Sequence, residues 1–485
     1  MHAPEQGLRW GFWVSLGLGL SWSLWRALVS EAFITEDEIQ HYLYSHNVWN
    51  NPADLWHSWS RPGRNLLQFL PAYFGLEATR VCTLGFAGVA VWLTGREARR
   101  MQMAGIVFLP LLICFQWWFP ELSYAVLTQT PFMLVWIAAI FFAMRERLVL
   151  AALCWGYLGL VRHEGIALTA LWGLWVIFSP RGFARYLFQK KWREAGKSLG
   201  PALWLGFWTL LPMIVMNIAT WKMRGEIPFM MFIEPRPTDY YGSGPIWLYL
   251  RHLLMAAGWP TVVLMLIGSV RGWPKISWGM LLYATYPAYL VLHSLIYWKG
   301  LYASGGYYHF IMPMAPFIGL IALRGLNLLR DNGHRIFAWT MLAIVVWTGL
   351  MMPRQDVITD ADIESMPEVK KSFRLIAPPM KLSRFDSGLK EAAIWLEREV
   401  SDEQWLAHHV AVSYWTNEKD IGERLEAWDG YPPDSDKFRP GAILVWDARY
   451  SARDLWGYTE EALSENGWIE IQRFAYGSVR IYRKS

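Results

Sequence analysis

The sequence has few cysteines and little charge. Its three cysteines, Cys82, Cys114 and Cys154, all fall within apolar runs, so neither a disulfide framework nor a thiolate metal cluster is indicated. Charged residues make up 18% of the chain against 54% hydrophobic, and the alternating amphipathic segments of a soluble protein this long are missing. There is no glycine-rich phosphate loop: "LGLGL" at 16–20 is glycine inside an apolar run, not a dinucleotide fingerprint. No internal repeat is evident, and nothing points to nucleic acid.

What the chain does have is apolar runs of about 20 residues, the length that crosses a hydrocarbon core. Eleven spans are expected, at 10–30, 77–94, 103–119, 124–144, 148–161, 164–178, 201–221, 251–270, 276–297, 308–328 and 336–352. The 32 Trp and 22 Tyr fit this reading, since amphipathic rings collect at bilayer surfaces. The first run has only Arg9 before it and no small-residue cleavage site, so it reads as a retained helix. With the N-terminus inside, the basic connections "REARR", "RER", "RGFARYLFQKKWREAGK", "RGWPK" and "RDNGHR" all fall on the inner side.

An odd number of spans places the tail outside. Residues 1–352 carry a net charge of +11 and residues 353–485 a net of −6, which divides a basic membrane domain from an acidic, water-soluble one. In the tail, 387–400 has helical spacing, 441–448 reads as a strand, 459–467 as a Thr-capped helix, and 468–484 as a hairpin about Gly477. The expected fold is therefore an all-α multi-pass protein of an inner or plasma membrane, with a small extracytoplasmic α/β domain at its C-terminus.

Chemistry gathers on the outer side. The first outer loop, 31–76, holds two stretches that read as surface helices, 38–51 and 65–75. The second, 222–250, has too much Pro and Gly for a continuous helix. Just after the first span comes "ITEDEIQHYLYSHN", with Glu36, Asp37 and Glu38 in a row. Ionisable groups at a membrane boundary are functional candidates by default. A carboxylate held there can act as a general base toward a hydroxyl or bind a divalent cation. The competing reading is a solvated turn, because "TEDE" is also a good helix start.

The order of features resembles the GT-C glycosyltransferases, polytopic enzymes that use lipid-phosphate sugars and include protein O-mannosyltransferases and aminoarabinose transferases. The resemblance rests on the "DE" after the first span, "RVCTLGFAGVAVWLTGREARR" (80–100), "FPELSYAVLTQTPFMLVW" (119–136), "GLVRHEG" (159–165) and "GGYYHFIMPMAPFIGL" (305–320), and covers about the first 330 residues. It implies a polyprenyl- or dolichyl-phosphate sugar donor and a glycan, lipid or protein acceptor outside the membrane. It also implies Asp37 as catalytic base, with Glu38 as its partner or a second substrate contact.

A lipid-phosphate leaving group needs a cation, preferably arginine, whose fork matches phosphate oxygens. Outer-side candidates are Arg61, Arg64, Arg80, Arg162, Arg224, Arg236 and Lys299. Arg162 is the most interesting, at a helix-pair apex beside Glu164; the alternative is an internal Arg162–Glu164 or Arg162–Glu121 ion pair that only fixes the bundle. Arg61 and Arg64 can equally hold the head groups of membrane lipids. His41, His46, His57 and His163 match no standard zinc spacing. The chain departs from the family pattern twice. His309 stands where an Arg-Tyr pair is usual, and Gln129 stands where an acid often precedes the proline, with Glu121 as a substitute. A transporter or flippase of lipid-linked saccharides is the competing class; it would place ionisable groups at the bilayer midplane and show two related halves.

Overall fold

The computed structural model describes residues 3–179, 182–226, 242–270, 279–301, 304–351, 380–400, 405–416, 438–449, 451 and 458–485. Arg236, the basic loop 271–275 and the boundary expected after residue 352 lie outside the described residues. The protein is mostly helical with one small sheet. It forms two compact units, one of residues 1–28 and 56–378 and one of residues 29–55 and 379–485.

The helices of the first half run α1 (Ala3–Val29), α2 (Glu36–Asn47), α3 (Pro62–Ala72), α4 (Leu76–Arg100), α5 (Leu109–Cys114), α6 (Phe119–Leu122), α7 (Gln129–Met144), α8 (Leu148–Val161) and α9 (Glu164–Phe178). They continue as α10 (Phe183–Phe188), α11 (Trp192–Arg224), α12 (Leu248–Ala257), α13 (Trp259–Ser269), α14 (Gly279–Trp298), α15 (Ala315–Asp331) and α16 (Arg335–Met351). Among the described residues four helical stretches are long and apolar enough to cross a membrane: Trp10–Val29, Leu76–Arg100, Trp192–Arg224 and Tyr308–Asp331. The bent pair α12–α13 makes a fifth if counted as one span.

This is fewer than the eleven expected, and the differences have local causes. The run 103–119 is not one helix but a 3-10 turn at Ile106–Phe108 followed by α5 and α6, with Pro110 and Pro120 opening the short helices. The run 251–270 bends by 110° at Gly258, whose φ of +81° suits glycine. Helices α7, α8, α9 and α16 are apolar but shorter than a full span.

Two helix crossings in the first unit depend on missing side chains. A Cβ on Gly325 of α15 would fall on the carbonyl of Leu264 in α13, and one on Gly268 of α13 would meet the carbonyl of Ile321. A Cβ on Gly156 of α8 would fall on the carbonyl of Thr209 in α11. Small residues let apolar helices approach backbone to backbone where there is no hydrophobic drive to hold them. Side-chain hydrogen bonds add to this: Trp172 Nε1 donates to Thr209 Oγ1 at 3.1 Å, and Trp136 Nε1 to Thr285 Oγ1 at 3.2 Å.

The second unit is built on a four-stranded sheet. Strands β1 (Trp405–Ala407), β2 (Ile443–Asp447), β3 (Trp468–Phe474) and β4 (Val479–Lys484) lie in the order β1-β2-β4-β3, with β1 parallel to β2 and the other pairs antiparallel. All five residues of β2 are buried. Helices α17 (Arg384–Glu399), α18 (Val410–Trp415) and α19 (Glu460–Glu465) complete it, and Thr459 caps α19 by accepting from Ala462 N–H at 3.2 Å. The hairpin turn puts Ala475, Tyr476 and Gly477 at φ of +46°, +56° and +92°. Helix α2 belongs to this unit rather than lying on a surface: Ile39, Tyr42, Leu43 and Tyr44 are buried, with Tyr42 edge-on to Tyr414 of α18 at 5.9 Å.

Gly325→Ala is expected to lower stability by about 1–3 kcal/mol through overpacking, read as a lower melting temperature in detergent. Gly173→Ala in α9, where a Cβ meets nothing within 4 Å, leaves it unchanged or slightly higher.

Candidate active site

Three consecutive acids at the start of α2 occupy three different environments. Glu38 is fully buried, and its carboxylate accepts the backbone N–H of Ile34 at 2.8 Å. It reaches back over the helix start as the third residue of a capping box does, while the hydroxyl of the N-cap residue Thr35 makes no capping bond. Glu36 is partly buried and points the other way, to Arg449, with which it forms an ion pair, and to His409, whose Nε2 lies 3.3 Å from its carboxylate. Asp37, between them, is exposed.

Burial raises the Glu36 carboxyl, but His409 and Arg449 outweigh it and hold the group at about 2 against an ordinary 4.5. Asp447, at the end of β2, goes the other way: burial pushes it up to about 6. It accepts the backbone N–H of Arg449 at 2.9 Å and the hydroxyl of Ser451 at 3.2 Å. These groups all lie in the second unit, and none of them except Glu36 was singled out by the sequence.

The first unit holds the remaining candidates. Arg162 and Glu164 form a two-pronged ion pair, Nη2 to Oε1 at 2.7 Å and Nε to Oε2 at 3.2 Å. Arg162 also donates to Thr128 Oγ1 at 2.8 Å and lies 4.6 Å from the ring centre of Phe310. His293 of α14 stands 3.5 Å from Glu164, packed edge-on to Tyr289. Glu121 does not meet Arg162; it pairs with Arg26 of α1 at 2.8 Å, both side chains buried. His309 is buried in a 3-10 turn, Tyr308–Met314, stacked on Tyr307 at 5.3 Å.

Arg61 and Arg64 differ from each other. Arg64 is fully buried and donates to Ser60 O at 3.0 Å, Ser60 Oγ at 2.7 Å and Gln68 Oε1 at 2.8 Å, so it ties down the start of α3. Arg61 is only partly buried and holds an unusual backbone, φ +69° in a residue with a side chain; such strain concentrates at functional positions. It donates to Ser58 O at 2.6 Å and lies 3.4 Å from His163 Nδ1. Arg224 and His57 belong to the same cluster, in which Glu226 is the carboxylate, 3.2 Å from Arg224 and 2.9 Å from Ser58 Oγ. Burial, then the charges of Arg224 and Arg61, hold the His57 imidazole down at about 3. Among the described residues no group of three His, Cys, Asp or Glu is placed to hold a metal ion.

The fold has counterparts among solved structures. The crystal structure of ArnT from Cupriavidus metallidurans in the apo state superposes over 97% of both chains with a TM-score of 0.62 at 12% identity. The same protein bound to undecaprenyl phosphate gives 0.60 at 11% identity over 97% of both chains. The chain shares the fold of ArnT, a fold of the GT-C type. Arabinofuranosyltransferase AftD from Mycobacteria also matches, over 98% of this chain and 40% of its own, with a TM-score of 0.46 at 13% identity. No protein-family model matches the sequence, and no curated protein does.

Within this GT-C fold, the residues that sequence reasoning missed have a common feature. Arg26, Thr128, Tyr289 and His293 sit inside apolar runs, and His409 and Arg449 lie 373 and 413 positions from Glu36. Arg26 carried a legible signal, as a charge within the first span; the others carried none.

Glu164→Ala leaves the Arg162 charge buried and is expected to cost about 3–5 kcal/mol. In Arg162→Met/Glu164→Met the loss is smaller than the two single losses combined, as melting temperatures in a double-mutant cycle would register. Acid behaviour gives a second check. A carboxyl depressed on folding stabilises the protein above its unfolded value, and that contribution fades as pH falls from about 4.5 toward 2. Protection from hydrogen exchange over residues 405–415, taken relative to the intrinsic rate at each pH, therefore falls less on acidification to pH 3 in Glu36→Gln than in the parent.

Proposed function

We propose that this protein is an inverting glycosyltransferase that moves a monosaccharide from a polyprenyl-phosphate carrier to a hydroxyl of an acceptor outside the membrane. The observation that carries the reading is the carboxylate of Asp37, exposed on the first turn of α2. The GT-C fold supports it, as does the undecaprenyl phosphate bound by the structurally similar ArnT. The proposed topology has eleven spans in residues 1–352, with residues 353–485 on the extracytoplasmic side of an inner or plasma membrane.

In this reaction Asp37 accepts the proton of the acceptor hydroxyl while that oxygen attacks the sugar C1, and the C1–O bond to phosphate breaks. Positive charge develops on the sugar ring at the same moment, so a carboxylate nearby lowers the barrier. The lipid phosphate leaves as an anion and needs a cation to receive it. The first unit offers two candidates, Arg162 and Arg61, the latter in a cluster with His163, His57, Arg224 and the carboxylate of Glu226. Arg162 is already matched by Glu164, so it serves phosphate only if that pair opens. Glu38, committed to Ile34 N–H, holds the base in place, and Arg64 and Glu121 hold the bundle.

Purified protein offered a panel of radiolabelled undecaprenyl-phosphate sugars and a lipid or glycan acceptor tests this. The expected result is transfer from at least one donor, reduced by about a thousandfold or more in Asp37→Asn, consistent with loss of a general base, with donor binding retained. Unchanged transfer in Asp37→Asn removes Asp37 from the role, and donor translocation without transfer indicates a flippase.

A further inference from the structure

We propose that His409 and Arg449 are positioning residues for Asp37: acting through Glu36, they fix the first turn of α2 so that Asp37 presents its carboxylate in one direction. The proposal rests on the assignment of Asp37 as the base.

Successive residues of a helix project about 100° apart, so Glu36, Asp37 and Glu38 point three ways from one turn. Glu38 is tied to Ile34 N–H at 2.8 Å, and Glu36 is tied to Arg449 and His409. Holding the first and third residues fixes the backbone of the second, and with it the Cα–Cβ direction along which its carboxylate extends.

The two residues that grip Glu36 are themselves held from behind. His409 is 1% exposed, is the N-cap of α18, and accepts Ala411 N–H on Nδ1 at 3.2 Å, which leaves Nε2 to face Glu36. Its ring packs on Phe385 at 5.5 Å, and the Arg449 guanidinium lies over the same ring at 4.7 Å. The backbone of Arg449 is fastened to Asp447, and Asp447 through Ser451 to Nδ1 of His408, 2.8 Å from the Ser451 hydroxyl. A continuous run of contacts thus joins the end of β2 to the residue beside the base.

Two other accounts of the cluster fit less well. A hydrolytic triad would place the imidazole between acid and hydroxyl, whereas here the hydroxyl of Ser451 lies between Asp447 and His408, and Ser451 is fully buried. A purely stabilising role is also poorly served, because apolar residues of equal volume are often as stable as a buried ionic network. What the network adds is direction.

His409→Asn keeps an acceptor for Ala411 N–H while losing reach to Glu36, and Arg449→Gln removes the charge; Arg449→Lys restores it. The test uses full-length protein in detergent and the undecaprenyl-phosphate sugar that turns over best in the donor panel. In His409→Asn and Arg449→Gln, kcat is expected to fall by about tenfold to a hundredfold, the range for misplacing a reacting group by about 1 Å, with donor KM unchanged. Hydrogen exchange over residues 36–40 rises in both, Arg449→Lys recovers part of the rate, and Glu36→Gln/His409→Asn is no slower than Glu36→Gln alone. If Asp37→Asn abolishes transfer while both variants keep the parent kcat, or if exchange over 36–40 does not change, positioning is refuted and the base assignment stands. If no donor turns over, or Asp37→Asn transfers at the parent rate, the base assignment fails and positioning falls with it.

Discussion

A charge removed from water must be met by its opposite or by well-placed hydrogen bonds, and this constraint decides which ionisable groups of the chain remain available for chemistry. Arg26 is met by Glu121, Arg162 by Glu164, Arg64 by Ser60 and Gln68, and Glu36 by Arg449 and His409. The pairs Arg26–Glu121 and Glu36–Arg449 each fix two elements against each other. Asp37 is exposed, on a turn whose neighbouring acids Glu36 and Glu38 are anchored.

The same logic explains the shape of the first unit. Apolar helices gain little from burying one another in lipid, so the crossings rely on glycine to bring backbones together and on indole-to-hydroxyl bonds to lock them. Where proline or a left-handed glycine interrupts an apolar run, as at Pro110, Pro120 and Gly258, the run breaks into short or bent pieces. Such breaks are tolerated at membrane depth when they are buried in protein or line a cavity.

Much of this was legible in the sequence. Apolar length gave the helical membrane character, the order of motifs gave the GT-C likeness, and Thr459 and Gly477 marked a helix start and a hairpin turn that the structure contains. The breaks were harder to read, because hydropathy averages over a proline that geometry cannot ignore. Partner choice was harder still. "RHE" announced an Arg162–Glu164 pair, yet only tertiary structure could give Glu121 to Arg26. Helix α2 read as an amphipathic surface helix because its apolar stripe looks the same whether it faces lipid or, as here, Tyr414 of a folded unit. Nothing in linear order links residue 36 to residues 409 and 449.

The account turns on Asp37 being reachable from outside the membrane. In a background with the three native cysteines replaced, Asp37→Cys in sealed right-side-out vesicles should react with a membrane-impermeant maleimide before the vesicles are opened. Labelling only after the cytosolic face is exposed would contradict the account.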